Sequence, residues 1–242
     1  SYHRLTQLNQ PLVEFLYLFS IIQLDILEFV GGIHMKNILK CNGKLVTING
    51  HKIHLYIQGN KNAPAIVFMS GHCTVAPVYD FKVLYEKLLP DFRVIVIEKY
   101  GYGYSDIFEA PCDIDSVVSF QRRALAEVGE KGPFILLPHS MSGLEAIRWK
   151  QMYPDDVKAI IGLDMATPKT YKEWSYGEIN KRINMMKRIK KIKNMGLLSL
   201  YPLNRRGLNR DERKQQRLLW KRNGMNKCFI NEAKEVMNNA TI

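Results

Sequence analysis

Apolar residues along this chain fall into runs of two kinds. Between residues 44 and 58, β-branched and apolar positions interleave with polar ones on either side of Asn49-Gly50. That pattern predicts two strands, Lys44–Ile48 and His51–Gln58, and Asn-Gly supplies the two positive φ values of a type I′ hairpin turn. Further on the runs become continuous: Ala65–Met69, Arg93–Ile97, Phe134–Leu137 and Val157–Leu163. A strand that is apolar at successive positions is buried on both faces, as in a parallel sheet.

Helical periodicity fills the intervals. Tyr79–Leu89 is stopped by Pro90, Asp115–Val128 by Gly129, and Ser142–Tyr153 by Pro154. Alternating strand and helix predicts the α/β class, a mostly parallel sheet flanked by helices and opened by an antiparallel hairpin. Such sheets carry their chemistry in the loops after the carboxyl ends of the strands. Those loops read Ser70-Gly71-His72-Cys73, then Glu98-Lys99-Tyr100-Gly101-Tyr102-Gly103-Tyr104-Ser105-Asp106, then Pro138-His139-Ser140-Met141-Ser142-Gly143, and finally Asp164-Met165-Ala166-Thr167-Pro168.

Composition narrows the picture further. With 242 residues and 46% hydrophobic content the chain can build one full-size core, which excludes a disordered chain, and no repeat suggests a solenoid. The formal charge of +12 is regional: residues 1–168 hold 16 Lys/Arg against 17 Asp/Glu, and residues 169–242 hold 19 against 6. Three parts are therefore expected: an accessory segment 1–34, a core 35–168 and a basic helical part 169–242. Cys41, Cys73, Cys112 and Cys228 form no CxxC pair, which suits a reducing, cytoplasmic compartment. His51 and His54, three apart on a strand, point to opposite faces, so no metal site is expected.

Residues 12–33 are apolar enough to suggest a membrane anchor, but Glu14, Asp25 and Glu28 interrupt them. An amphipathic accessory helix, a fragment of something longer or a stretch upstream of a natural start at Met35, and a degraded anchor all fit.

Ser140 stands between a buried strand and a helix, the setting of a nucleophile elbow, in which a sharp turn lifts the hydroxyl from the top of the sheet. Pro138 and Ser142 occupy the positions where Gly-x-Ser-x-Gly has glycine. Taken alone, Ser140 could equally cap the following helix. The order of the loops decides between these. A hairpin start, Ser70-Gly71-His72 after the third strand, Glu98-x-x-Gly101-x-Gly103-x-Ser105 after the fourth and the elbow after the fifth resemble the α/β-hydrolase superfamily over residues 44–240. Gly101-x-Gly103 lacks the third glycine of a dinucleotide loop and no Gly-Lys-Ser/Thr occurs, so a structural turn is expected there.

The resemblance implies acyl transfer from a small-molecule carboxylic ester or a related acyl substrate, without a cofactor. It implies Ser140 as nucleophile, the backbone N–H groups of His72 (with Cys73 as the neighbouring alternative) and Met141 as oxyanion hole, and Asp164, just past the sixth strand, as the acid. Serine at the elbow argues against dehalogenases and epoxide hydrolases, which place Asp there. Family order also requires a histidine after the acid, and none follows His139. The resemblance therefore implies a fragment whose last strands and base lie beyond Ile242. A catalytically silent relative that binds a ligand or partner is the alternative.

From residue 169 the pattern is helical. Ile179, Ile183, Met186 and Ile189 form an apolar stripe among lysines and arginines, Asn209 and Glu212 form a capping-box pair for a helix ending at Gly224, and a third helix covers 226–238. By resemblance this is the cap over the active site. Its charge suits a solvated face or an anionic membrane or lipid surface. Nucleic acid is not expected, because no aromatic platform interleaves the charges.

Overall fold

A computed structural model describes residues 39–195 and 203–242. The readings made for residues 1–34 lie outside them. Six strands form one mixed sheet in the order β1-β2-β4-β3-β5-β6. β1 (Lys44–Ile48) and β2 (His51–Gln58) pair antiparallel, with Ile48 opposite His51, and Asn49 and Gly50 take φ values of 52° and 81° as the hairpin turn requires. β2 also runs antiparallel to β4 (Arg93–Glu98), whereas β3 (Ala65–Met69), β4, β5 (Phe134–Pro138) and β6 (Val157–Ile160) are mutually parallel.

Central strands are apolar at every turn of the pleat because both faces are covered. Val67, Phe68, Val94, Ile95, Val96 and Leu136 are fully buried. One face is packed by α1 (Pro77–Asp80) and α2 (Lys82–Leu88), the other by α3 (Ile114–Glu127) and α4 (Ser142–Met152). The single helix expected over 79–89 is two: it opens earlier, on Pro77, and breaks at Phe81, whose φ of −90° and ψ of −2° end the first turn. β6 also departs from expectation. Lys158 and Ala159 are exposed and regular pairing stops at Ile160; among the described residues β6 pairs with β5 alone. The chain nevertheless stays on β5, since Ile161 N–H donates to Leu136 O at 2.9 Å and Leu163 N–H to Pro138 O at 2.8 Å.

Four helices follow: α5 (Pro168–Lys172), α6 (Tyr176–Asn194), α7 (Arg210–Asn223) and α8 (Lys227–Asn239). The capping box of α7 forms as its sequence predicts, with Glu212 N–H donating to Asn209 Oδ1 at 3.0 Å and Asn209 N–H to Glu212 Oε2 at 2.8 Å. The link from α7 to α8 is tied to the loop after β4. Asn223 Nδ2 donates to Gly103 O at 2.6 Å, Asn226 Nδ2 to Gly101 O at 2.8 Å, and Arg222 reaches Gly103 O and Ser105 O at 3.1 and 3.0 Å. These helices thus sit over the carboxyl ends of the strands. No helix among the described residues is long and apolar enough to cross a membrane.

Candidate active site

Ser140 occupies the turn from β5 into α4 with φ at +51°, a left-handed conformation that costs a non-glycine residue roughly 1–3 kcal/mol. The surrounding backbone holds it there. His139 N–H donates to Met69 O at 3.0 Å, Gly143 N–H to Ser140 O at 3.0 Å and Ala166 N–H to the same Ser140 O at 2.8 Å. The hydroxyl of Ser142, at a position where Gly-x-Ser-x-Gly has glycine, adds a staple: it accepts from His139 N–H at 2.9 Å and lies 2.8 Å from Met69 O and 2.9 Å from His139 O. The carboxyl end of β3 and the elbow are thereby fixed to each other. Glycine is needed instead at Gly71, where a Cβ would stand 2.8 Å from Ser140 Cβ, and at Gly143, where one would overlap Ala166 O.

The loop after β3 therefore lies directly beside Ser140. Among the described residues neither the His72 nor the Met141 backbone N–H donates a hydrogen bond. The His72 ring is occupied elsewhere, its Nε2 donating to Phe229 O of α8 at 2.8 Å. Asp164 is exposed, with φ at +49°, between Leu163 and Ala166, both of which bond the elbow backbone. Its carboxylate has no hydrogen-bond partner among the described residues.

No described histidine hydrogen-bonds Ser140. His51 stacks on Phe108 with ring centroids 3.5 Å apart, His54 is buried on Glu98, and His139 makes a T-shaped contact with Phe81. Among the described residues no group of three His, Cys, Asp or Glu side chains is placed to hold a metal ion.

The loop after β4 is built on Glu98. Its carboxylate accepts Tyr104 N–H at 2.7 Å and Val78 N–H at 3.1 Å and pairs with His54 Nδ1 at 2.8 Å. Gly103, at φ +45°, is glycine because a Cβ would overlap that carboxylate. Burial alone would push the His54 pKa down, but the Cys41 and Glu98 side chains outweigh it and raise it to about 9.

A second buried cluster was not foreseen from the sequence. Lys99 Nζ donates to Glu145 Oε1 of α4 at 2.6 Å and to Glu232 Oε1 of α8 at 2.7 Å, Gln121 Nε2 donates to Glu145 Oε2 at 2.6 Å, and Tyr102 Oη donates to Glu232. Burial pushes Glu145 upward although Lys99 opposes it, and burial together with Glu232 drives the Tyr102 pKa up. The signal was present, since Glu232 interrupts the apolar row Phe229, Ala233, Val236 of α8. Beside the cluster a cavity of about 20 Å³, room for about one water molecule, is lined by Val117, Met141, Leu144, Glu145, Glu232 and neighbours.

Comparison with known proteins bears on the fold. No protein-family model matches the chain. The uncharacterized protein YbdG of Bacillus subtilis is 42% identical over 134 residues, which make up 55% of this chain and 41% of its own length. The uncharacterized protein C23C11.06c of Schizosaccharomyces pombe is 24% identical over 162 residues, 30% of its own length, so this chain spans less than half of either curated relative. Among solved structures, Cfl2 from Burkholderia cenocepacia superposes with a TM-score of 0.65 at 18% identity, covering 82% of this chain and 72% of its own. A metagenomic epoxide hydrolase of the α/β-hydrolase superfamily from hot environments gives 0.61 at 17% over 82% of this chain and 70% of its own. The esterase EaEST from Exiguobacterium antarcticum gives 0.58 at 19% over 81% and 73%. The chain has the α/β-hydrolase fold.

Proposed function

We propose that the protein is a serine hydrolase that cleaves a small carboxylic ester or a related acyl substrate, with residues 35–168 as its catalytic core and 169–242 as the cap. The observation that carries this reading is Ser140 held at φ +51° between β5 and α4, beside two backbone N–H groups that donate to nothing else described. In this reading Ser140 Oγ bonds to the acyl carbon as its proton passes to a general base and the carbonyl electron pair moves onto oxygen. Collapse of that oxyanion expels the alcohol, which takes the proton, and water then repeats the addition on the acyl-serine to release the acid and restore Ser140. His72 N–H and Met141 N–H receive that oxyanion, each such donor contributing about 10²–10³ in kcat. The amino end of α4, at Ser142, adds the positive end of its dipole. Asp164 is the candidate acid that orients the base. The reading requires a general base for the Ser140 proton and assigns that role to none of the described histidines. A binder without turnover is the second reading, and the observation on its side is that no described histidine hydrogen-bonds Ser140.

Treating the complete protein with a fluorophosphonate probe and mapping the labelled peptide tests the proposal. A single adduct at Ser140, lost together with ester turnover in Ser140→Ala, is the expected result. An adduct on another serine, or undiminished turnover in that variant, rejects the assignment, and an unlabelled protein leaves the binder reading in its place.

A further inference from the structure

Helix α6 has two rows of apolar residues, and among the described residues one of them is buried in the fold. Ile179, Ile183 and Met186 are buried against α8 and its surroundings. On the opposite side Lys181, Met185, Arg188, Ile192 and Met195 follow one another at steps of four and three, which places them on one line along the helix. The apolar members of that line are open: Met185 is 55% exposed, Ile192 42% and Met195 72%. Scattered exposed apolar side chains are ordinary, but three on one line interleaved with cations form a patterned face.

The charge around this row is one-sided. Glu178 is the only carboxylate of α6, against Lys181, Arg182, Lys187, Arg188, Lys190, Lys191 and Lys193. Two of the cations serve the fold: the Arg182 guanidinium lies 4.2 Å from the centre of the Trp174 ring, and Lys193 Nζ donates to Gly224 O at 2.7 Å. Lys181, Lys187, Arg188 and Lys191 make no hydrogen bond or ion pair among the described residues. Their long stems can lie along the apolar row while the charged ends reach outward.

We infer that this outward face of α6 docks on an anionic phospholipid membrane. A membrane surface offers both halves of the complement at once: headgroup phosphates for Lys181, Lys187, Arg188 and Lys191, and an acyl boundary a few ångströms deeper for Met185, Ile192 and Met195. A nucleic acid backbone would satisfy the cations and leave the apolar row in water. The inference does not depend on Ser140 chemistry.

Vesicle co-sedimentation of the complete protein tests it. Pure phosphatidylcholine vesicles are compared with vesicles carrying about 30% phosphatidylserine, at about 0.05 and 0.25 M NaCl, between which the screening length falls by more than half. Binding is expected on the anionic vesicles only, and weaker at the higher salt. K181Q/R188Q should bind about 25-fold more weakly, at about fivefold per cation removed. M185D/I192D changes only exposed positions, so it should fold normally and lose binding at low salt. Equal affinity for both vesicle types, or unchanged binding by M185D/I192D, overturns the inference. So does displacement of the protein from vesicles by a single-stranded oligonucleotide, or a dimer in solution that M185D/I192D dissociates.

Discussion

Replacing Lys99 with methionine should destabilise the protein strongly, and in a manner that acid reverses. Lys99 is buried and is, among the described residues, the cation that pairs with two buried carboxylates, at 2.6 Å from Glu145 and 2.7 Å from Glu232. Two opposite unit charges about 4 Å apart attract by about 4 kcal/mol at an effective dielectric of 20. Desolvation of the three ions offsets much of that gain in the wild type, but methionine removes the attraction and leaves both carboxylates facing each other without compensation. Breaking a buried pair in this way costs about 3–5 kcal/mol. Gln121 and Tyr102 remain as neutral donors, which places the expected loss near the lower end. Glu145 is already pushed above the ordinary carboxylate range by burial, and without Lys99 it rises further. A carboxyl group whose folded pKa lies above its unfolded one destabilises the fold increasingly as pH rises through that interval, so Lys99→Met should recover stability from pH 8 down to about 5. Lys99 opposes the upward push on Glu145 in the wild type, so this cluster should give the wild type a smaller pH dependence, and the effect is read as the difference between the two proteins. Urea unfolding at several pH values reads the effect, and K99M/E232Q gives a control that remains interpretable if the single variant fails to fold. Removing one carboxylate with the lysine should make the double variant more stable than K99M at pH 8. A loss below about 1 kcal/mol that is independent of pH, or a double variant less stable than the single one, would refute the reasoning.

Two further outcomes follow from the same kind of accounting. The folded His54 pKa of about 9 lies above the unfolded value near 6.5, so the His54–Glu98 pair contributes its full stability below about pH 6.5 and loses it as pH rises through 9; His54→Gln should flatten that part of the stability curve, and an unaltered pH dependence would count against a charged pair. Ser142→Ala removes the hydroxyl that binds β3 to the elbow and should cost about 1–3 kcal/mol in urea unfolding. It should also slow fluorophosphonate labelling of Ser140, and an unchanged labelling rate would show that the backbone alone holds the turn.

Much of the scaffold was legible in the residue pattern. The Asn49-Gly50 hairpin, the buried runs of β3, β4 and β5, the capping box at Asn209 and Glu212 and the strand-to-helix setting of Ser140 depend on local φ preferences and on the period of apolar residues, which act over a few positions. The same pattern could not show that the helix expected at 79–89 breaks at Phe81, nor that Lys158 and Ala159, within a run read as buried, would stand in solvent. An apolar run reads alike in a central and in a terminal strand until its neighbours are known.

The sequence by itself determined most of the strand and helix segments, and which loops gather at the carboxyl ends of the sheet. Only the tertiary structure decided what those loops face. Gly71 and Ser140 meet across 69 positions of chain, Lys99 finds Glu145 and Glu232 at separations of 46 and 133, and His72 turns to Phe229 at a separation of 157. A buried charge can be kept only where partners from other elements arrive within hydrogen-bonding distance, and that is a property of the folded chain in three dimensions.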